Sequence, residues 1–530
     1  MSKVKRILAV MMTMIMVLAM SIPTFAATTP TTPTANDTAE GTVQNVEKAA
    51  TVTAYQITKA QYDGGFTGYV KADNKLAIAD VLAPTPDEVT AIAKQIASGA
   101  VTLTSKTMTG AAVADDVKYT DFTADLNAGY WLVIVSGTVD EVYNPMLVGV
   151  YYSANGSDNT MTSNPVNADS NWTLETSIAY AKSTTPSIKK EIVDGETAKG
   201  NDVAIGDTVN FKITTTIPSY SKQYDTVTVT ISDTMSAGLT LDKNSIKING
   251  AAISADMIDT ANVETTDHGF TLPIKSEYAK ANGGVELVVT YSAKVNDQAA
   301  VNFDPNTNKA TLSYTNNPNG DVKTTDSKTY TYTFSIGAAL SAATQGYTEK
   351  VNQIIKVDEK GNVISKVEEK SQEPDEKVVE VLKGATFTLT NTKTRKVYTA
   401  ESGEDGGLTF NGLDAGTYTL VETAAPEGFT IDKTEHTVVI AATYNEDGTL
   451  NTYTITIDGK NTSTYTATYD KEGKVTTIAT TTTVTEIKNT KLSALPSTGG
   501  IGTTIFTIGG CAIMIVAAGL FFATRRKTQK

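Results

Sequence analysis

The sequence predicts an all-β, exported protein made of tandem sandwich domains, with a separable segment at each end. Three observations carry this expectation. Thr, Val and Tyr, which favour pleated half-buried strands, recur in runs such as Thr480 to Thr483, while charged residues make up only 19% of the 530. Apolar alternation broken by turn clusters recurs through the middle of the chain. Each terminus carries an apolar run beside basic residues.

The elements follow in chain order. Residues 1–26 read as a signal peptide: Lys3, Lys5 and Arg6 precede the apolar run Ile7 to Met20, and a small-residue cleavage site follows at Ala26. Residues 27–46, rich in Thr, Pro and Ala, read as a linker. A first domain spans 47–182, with strands expected at Ala50 to Ile57, Gly129 to Ser136 and Met146 to Tyr152. One helix is expected at Asp87 to Ser98, where Val89, Ile92, Ala93 and Ile96 have helical spacing. A second domain spans 183–342, with strands at Thr208 to Ile217, Thr226 to Ser232, Val285 to Ala293, Ala310 to Tyr314 and Tyr330 to Ile336. A third spans 343–492, with strands at Gln353 to Val357, Thr386 to Asn391, Gly416 to Glu422 and Thr434 to Ile440. Hairpin patterns follow at Tyr453 to Ile457 and Tyr465 to Tyr469, with Asp458-Gly459 and Glu472-Gly473 as turn residues, and Glu368 to Lys377 reads as an exposed loop. Residues 493–530 end the chain: an apolar stretch, Ile501 to Thr524, is long enough to cross a bilayer, and Arg525, Arg526 and Lys527 close it on the cytoplasmic side.

Composition excludes several functions. A single cysteine, Cys511, rules out a disulfide within the chain and any multi-thiolate metal site. Two histidines, His268 and His436, leave little for zinc or imidazole chemistry, so no metal or cofactor is expected. A net charge of −14 argues against nucleic acid. Loss of both ends removes seven basic residues and no acidic one, which moves that charge to −21 and discards the cysteine. Neither a Gly-x-Ser-x-Gly turn nor a His-Glu-x-x-His helix is present, so the chain is not expected to be an enzyme.

Specific motifs sharpen the picture. Leu495-Pro496-Ser497-Thr498-Gly499 stands directly before the apolar span and basic tail. This arrangement resembles the sorting signal of Gram-positive surface proteins. In that family a membrane sortase cleaves between Thr and Gly, here Thr498 and Gly499, and holds the Thr carbonyl as a thioester. The span would park the pentapeptide beside a membrane-bound transpeptidase.

In the third domain, Lys356 ends an apolar first strand, and the run Tyr418-Thr-Leu420-Val-Glu422-Thr-Ala-Ala-Pro426-Glu-Gly428-Phe429 precedes a last strand ending at Asn489. These residues resemble the B-type repeat of collagen adhesins and Gram-positive pilins. The resemblance implies immunoglobulin-like, collagen-adhesin-type sandwiches and a spontaneous Lys–Asn amide, here Lys356 to Asn489, promoted by Glu422. Alternation puts Tyr418, Leu420 and Glu422 on one strand face, and Leu420 makes that face the core. Burial favours the neutral form of a carboxyl and of an amine alike, and a neutral amine is a nucleophile.

The second domain carries a related set: Lys190 after Thr185-Pro186-Ser187-Ile188-Lys189, Asp233 in Val-Thr-Ile-Ser-Asp-Thr-Met, and Asn308 before Lys309-Ala310. It is similar to the fimbrial isopeptide-forming domain of major pilins, which implies Lys190 and Asn308 as the joined pair and Asp233 as promoter. Lys189 is the adjacent competitor, on the opposite strand face. In the first domain, Gly129 to Ile134 resembles the strand that bears the promoter, but Ile134 stands at the Glu position and no internal bond is expected there.

Lys182 lies in Trp172-Thr-Leu-Glu-Thr-Ser-Ile178-Ala-Tyr180-Ala181-Lys182, just before Ser-Thr-Thr-Pro. The stretch resembles the pilin motif of polymerised backbone subunits, one residue longer and with Ala181 in place of Pro. It implies Lys182 as the amine that joins Thr498 of the next subunit. Taken together, the resemblance implies a major pilin anchored to the cell wall at the Gram-positive surface. Its partners would be membrane sortases, identical subunits, accessory pilins and peptidoglycan, with a host surface ligand left open. The rival reading is a single-copy wall-anchored adhesin that uses Thr498 but not Lys182.

Overall fold

The computed structural model describes residues 31–154, 160–317, 320–338, 340, 351–360, 384–426, 428–470, 474–492 and 502–527. The signal peptide, the Glu368 to Lys377 loop, the Glu472-Gly473 turn and the Leu495 to Gly499 pentapeptide lie outside these residues. Two units result: residues 1–334 with 412–414 and 444–450, and the remainder.

The first unit begins with an eight-stranded sheet. Its order is Trp172–Thr176, Met146–Ala154, Gly129–Gly137, Ala50–Gln56, Ser105–Gly110, Tyr119–Asn127, Thr38–Glu47 and Ile178–Tyr180. The two outermost strands are consecutive in the chain, and between them Ser177 N donates to Gly149 O (2.8 Å) while Gly149 N donates to Ser177 Oγ (2.7 Å), so the sheet curls on itself. The Gly129–Gly137 strand is buried on both faces. Trp131, Val133 and Val135 enter one core with Val43, Val52 and Val148, whereas Tyr130 and Leu132 enter another with Phe66, Ile92 and Trp172. The second core is closed by the helix Pro86–Ala97, one residue offset from expectation. Thr85 and Glu88 form its capping box, Pro86 opens it, and Val89, Ile92 and Ala93 face inward.

The expected linker is corrected over part of its length. Residues 38–47 form a strand that pairs antiparallel with Tyr119–Asn127 and parallel with Ile178–Tyr180. Val43 and Val46 are fully buried, because a bulge at Asn45 (φ 62°) turns both to the same side.

Two further sheets of the first unit pack face to face. One holds Ile188–Val193, Thr208–Thr216, Glu286–Val295 and Leu239–Leu241, with Lys247–Ile248 also paired to Glu286–Val295. The other orders Gly200–Asp202, Val322–Tyr332, Asn306–Thr315, Val229–Met235, Gly269–Ile274 and Glu264–Thr266. Alternate residues Val209, Phe211 and Ile213 on one sheet and Val229, Ile231, Leu272 and Leu312 on the other fill a shared core. The single strand expected at Tyr330 to Ile336 is split at Thr333, and the boundary of the two units falls just after Phe334.

The second unit holds a seven-stranded sheet ordered Val397–Glu401, Thr386–Asn391, Gly416–Ala424, His436–Tyr444, Leu450–Ile457, Asn461–Tyr469 and Val475–Thr481. Asp458 (φ 53°) and Gly459 (φ 67°) both adopt left-handed conformations in the hairpin between Leu450–Ile457 and Asn461–Tyr469, as a primed turn requires. Ile354–Asp358 and Thr485–Asn489 form a separate parallel pair. The helix Gly502–Lys527 contains an 18-residue apolar window, Ile505–Phe522, long and apolar enough to cross a membrane.

Candidate functional site

Strand alternation decides which lysines enter the cores. Along Ile188–Val193, residues Ile188, Lys190 and Ile192 point inward while Lys189 points out. Lys190 is completely buried, and Lys189 is exposed in an ion pair with Glu191 (2.6 Å). The Lys190 amine contacts Asp233 Oδ2 and the Tyr291 hydroxyl. Asp233 stands opposite Ala310 on the neighbouring strand, so Asn308, two residues away, shares its face. Tyr291 donates to Asp233 Oδ2 (2.7 Å), and Asn308 Nδ2 donates to the Tyr291 oxygen (3.1 Å). The amine also sits over the rings of Tyr291 (4.8 Å) and Phe211 (5.0 Å). Among the described residues, Asp233 Oδ1 and Asn308 Oδ1 have no hydrogen-bond partner.

Burial dominates the electrostatics. It lowers the Lys190 amine from 10.5 to about 8, against the pull of Asp233. It raises the Asp233 carboxyl, again against its cationic neighbour. It also holds the Tyr291 hydroxyl well above its ordinary value, assisted by Asp233. The amine and the carboxyl are thus moved toward each other, so passing one proton from nitrogen to oxygen costs less than it would between the same groups in water. Sequence reasoning missed Tyr291. Its signal is the inward alternation Leu287, Val289, Tyr291, Ala293, where a buried phenol needs a polar partner.

The second unit repeats the arrangement with a different carboxylate. Lys356 and Ile487 are partners in the parallel pair, and Asn489 is the next inward residue of its strand. Lys356 Nζ donates to Asn489 Oδ1 (2.5 Å) and lies 3.3 Å from Glu422 Oε2. Asn489 Nδ2 donates to Glu422 Oε1 (2.8 Å), while the backbone N–H of Asp432 donates to Glu422 Oε2 (2.7 Å). Tyr418, Leu420 and Glu422 are all buried on one face of Gly416–Ala424. Phe387 stands directly across from Glu422, with its ring 5.3 Å from the amine. Burial lowers the Lys356 amine, opposed by Glu422. Gly406 (φ 73°) accepts from the Lys356 N–H, and a Cβ there would lie 2.8 Å from the Lys356 carbonyl oxygen, so glycine is required for this approach.

Lys182 contrasts with both. It is exposed, between Ile178–Tyr180 and Ser183–Thr184. Its backbone is held on each side: Ala181 N donates to Gln44 O (2.9 Å) and Asn144 N to Lys182 O (3.1 Å). Trp172 of the same stretch is buried, with its indole N–H on Thr31 O (2.8 Å). In the curled sheet, Ile134 is half-buried and supplies no carboxylate.

Known proteins share this order of parts. Residues 36–183 match a T6 antigen Ig-like domain, and 205–318 match the Cna-B-like domain of Gram-positive pilin backbone subunit 2. Residues 364–454 match a prealbumin-like fold domain, and 487–530 match an LPXTG cell wall anchor motif. The trypsin-resistant surface T6 protein of Streptococcus pyogenes serotype M6 is 26% identical over 93% of this chain and 96% of its own length. The solved T6 backbone pilin of that serotype superposes with a TM-score of 0.61 at 20% identity, over 87% of this chain and all of that one. The full-length major pilin SpaD of Corynebacterium diphtheriae gives 0.45 at 16% identity, over 87% of this chain and 99% of that one. The fold is therefore mostly β, in Ig-like, Cna-B-like and prealbumin-like domains followed by an apolar C-terminal helix. The match to the LPXTG cell wall anchor motif, with the apolar helix inside it, places the chain at the cell surface, anchored to the wall. Over nearly its whole length the chain is similar to the T6 backbone pilin of Gram-positive bacteria.

Proposed function

We propose that this chain is a backbone pilin, the repeating shaft subunit of a covalent pilus, in which Thr498 of one subunit is joined to Lys182 of the next. We also propose that Lys190–Asn308 and Lys356–Asn489 become internal amides. The observation that carries this reading is the sorting of three lysines by environment. Two have no exposed surface and face an Asn and a carboxyl, while the third lies in the open on a pinned backbone. A buried amine suits a reaction that excludes water; an exposed one suits attack on an enzyme-held thioester.

In the internal reaction, the neutral lysine nitrogen attacks Asn Cγ and a C–N bond forms. The carboxyl of Asp233 or Glu422 supplies a proton to the departing amide nitrogen and recovers one from the attacking amine. Ammonia leaves, and nothing is oxidised or reduced. A proton on Asp233 would also give partners to the two orphaned oxygens, Asp233 Oδ1 and Asn308 Oδ1. The partners implied are the membrane sortases, identical subunits, accessory pilins, and the peptidoglycan at which growth ends. The test is tandem mass spectrometry of digested pili. A branched peptide joining the Thr498 carbonyl to Lys182 is expected; a branch on another lysine would overturn the joining assignment.

The charge state of Lys190 has its own readout. Asn308→Ala leaves the amine without an electrophile, so it remains titratable. Its folded value, about 8, lies below the ordinary 10.5. Between these values the unfolded chain holds the proton and the folded chain does not, so stability rises with pH across that window. The raised Asp233 acts in the opposite sense at lower pH. Calorimetry of Asn308→Ala should show its melting rise from pH 8 to 10, and Lys190→Met in the same background should remove the slope. A flat profile in the single variant would contradict a buried, deprotonating amine.

A further inference from the structure

The curled sheet contains a buried acidic pair that the internal bonds do not use. Glu47 and Glu141 are 5% and 2% exposed. Lys118 lies 3.3 Å from a carboxylate oxygen of each, with its side chain 44% exposed. Glu47 Oε2 accepts from the N–H groups of Asp140 (3.0 Å) and Glu141 (3.1 Å), which fixes the turn bearing Glu141. Glu141 reaches the segment that follows Lys182. It accepts from the hydroxyls of Ser183 and Tyr119, and from Thr185 Oγ1 at 3.0 Å. Burial opposes its charge, yet the hydrogen bonds from Ser183, Tyr119, Thr185 and Lys118 outweigh that and hold the carboxyl below its ordinary value. The same segment is tied by a short pairing of Ser183–Thr184 with Val142–Tyr143. The turn is gripped from its other side as well: Tyr314 donates to Asp140 O (2.6 Å), Asn316 to Val139 O (2.8 Å) and Tyr224 to Tyr143 O (3.2 Å).

A short polar strap would be expected to move with solvent. This one has two hydroxyls on one buried carboxylate, and Lys182 immediately precedes it. We propose that Glu141 is a positioning residue for subunit joining: by clamping Ser183 and Thr185 it holds the Lys182 backbone at one place and one direction, so that the amine meets an acyl thioester. This rests on the reading of Lys182 as the joining lysine. In the joining step the Lys182 nitrogen attacks the Thr498 carbonyl carbon, a C–N bond forms, the C–S bond to the sortase breaks, and the amine's proton passes to the departing thiolate.

The test uses the full exported chain as acceptor, a Leu-Pro-Ser-Thr-Gly peptide as acyl donor, and the sortase that polymerises the wild-type chain. Two variants loosen the strap by different routes, Glu141→Gln and the double change Ser183→Ala with Thr185→Val; the second alters exposed side chains only. Both are expected to slow transfer to Lys182 about tenfold to a hundredfold, the effect of a small misplacement of a reacting group. The mass deficit of the internal bonds should stay unchanged, and both variants, though they melt somewhat lower for losing partners of a buried carboxylate, should remain folded at the assay temperature. The share of transfer to other surface lysines should rise, and Ser183→Thr with Thr185→Ser, which keeps both hydroxyls, should restore the rate. Lys182→Ala separates the two ideas. If it is inert while both strap variants react at the wild-type rate, the positioning role is overturned and the joining lysine stands. If Lys182→Ala still accepts the peptide at the wild-type rate, the joining assignment falls and the positioning role falls with it.

Discussion

Lys182→Ala is expected to give a folded, exported, wall-anchored monomer and no high-mass ladder in detergent extracts. The side chain is exposed, so its truncation should change stability by no more than about 0.5 kcal/mol. The sorting segment is untouched, so anchoring persists. Neither Lys190 nor Lys356 can substitute, since each is fully buried beside a carboxyl and an Asn. Lys189 is exposed seven positions further on but already pairs with Glu191. A ladder of unchanged intensity would return the chain to the rival reading, a pilin-like protein displayed as single copies or joined through another lysine.

The second large effect concerns the internal amides. The mature wild-type chain, residues 27–498, should be lighter than its sequence by the mass of two ammonia molecules. Asp233→Ala and Glu422→Ala should each restore one. Lys356 and Asn489 are 133 positions apart. A cross-link closing a loop of that size removes unfolded-state entropy equivalent to about 5 kcal/mol in the chain-entropy treatment developed for disulfides. For a domain of this size that corresponds to a fall in melting temperature of roughly 10–20 °C on losing the bond. Glu422→Ala loses more than the amide, because it strands the Lys356 amine and the Asp432 N–H in a buried site. Its destabilisation should therefore exceed that of Asn489→Ala, which leaves Glu422 to pair with the amine. Calorimetry resolves the order, and an intact mass equal to the unmodified sequence would remove the basis of both predictions.

Much of the β architecture was legible because half-buried strands announce themselves by alternation. Ala50–Gln56, Thr208–Thr216 and Glu286–Val295 fall within a residue or two of expectation, and the spacing of Val89, Ile92, Ala93 and Ile96 announced the helix Pro86–Ala97. The three residues of each buried set were likewise readable from motif and strand face. What stayed hidden had physical reasons. Thr38–Glu47 looked like linker because it is mostly polar and its bulge at Asn45 breaks the period of two, leaving Val43 and Val46 three apart on one face. Glu47 and Glu141 were passed over because an isolated Glu is ordinarily a surface residue. Their burial depends on partners 22 to 96 positions away, which no local pattern records. Tyr291 belongs to the same class: its strand was visible, but its role arises where two sheets meet.

The parallel pairing of Ile354–Asp358 with Thr485–Asn489 bears on how a filament carries tension. In the proposed filament, a pull entering from Lys182 would draw the first of these strands toward its N-terminal end, while a pull leaving through Thr498 would draw the second toward its C-terminal end. Parallel neighbours loaded in this way are sheared, so their ladder resists as a group instead of unzipping bond by bond. With Lys356 and Asn489 fused, the route crosses directly from one strand to the other, and the seven-stranded sheet between them hangs beside the load path as an unstressed bracket. Such a subunit would transmit force without paying out length, like a link in a chain.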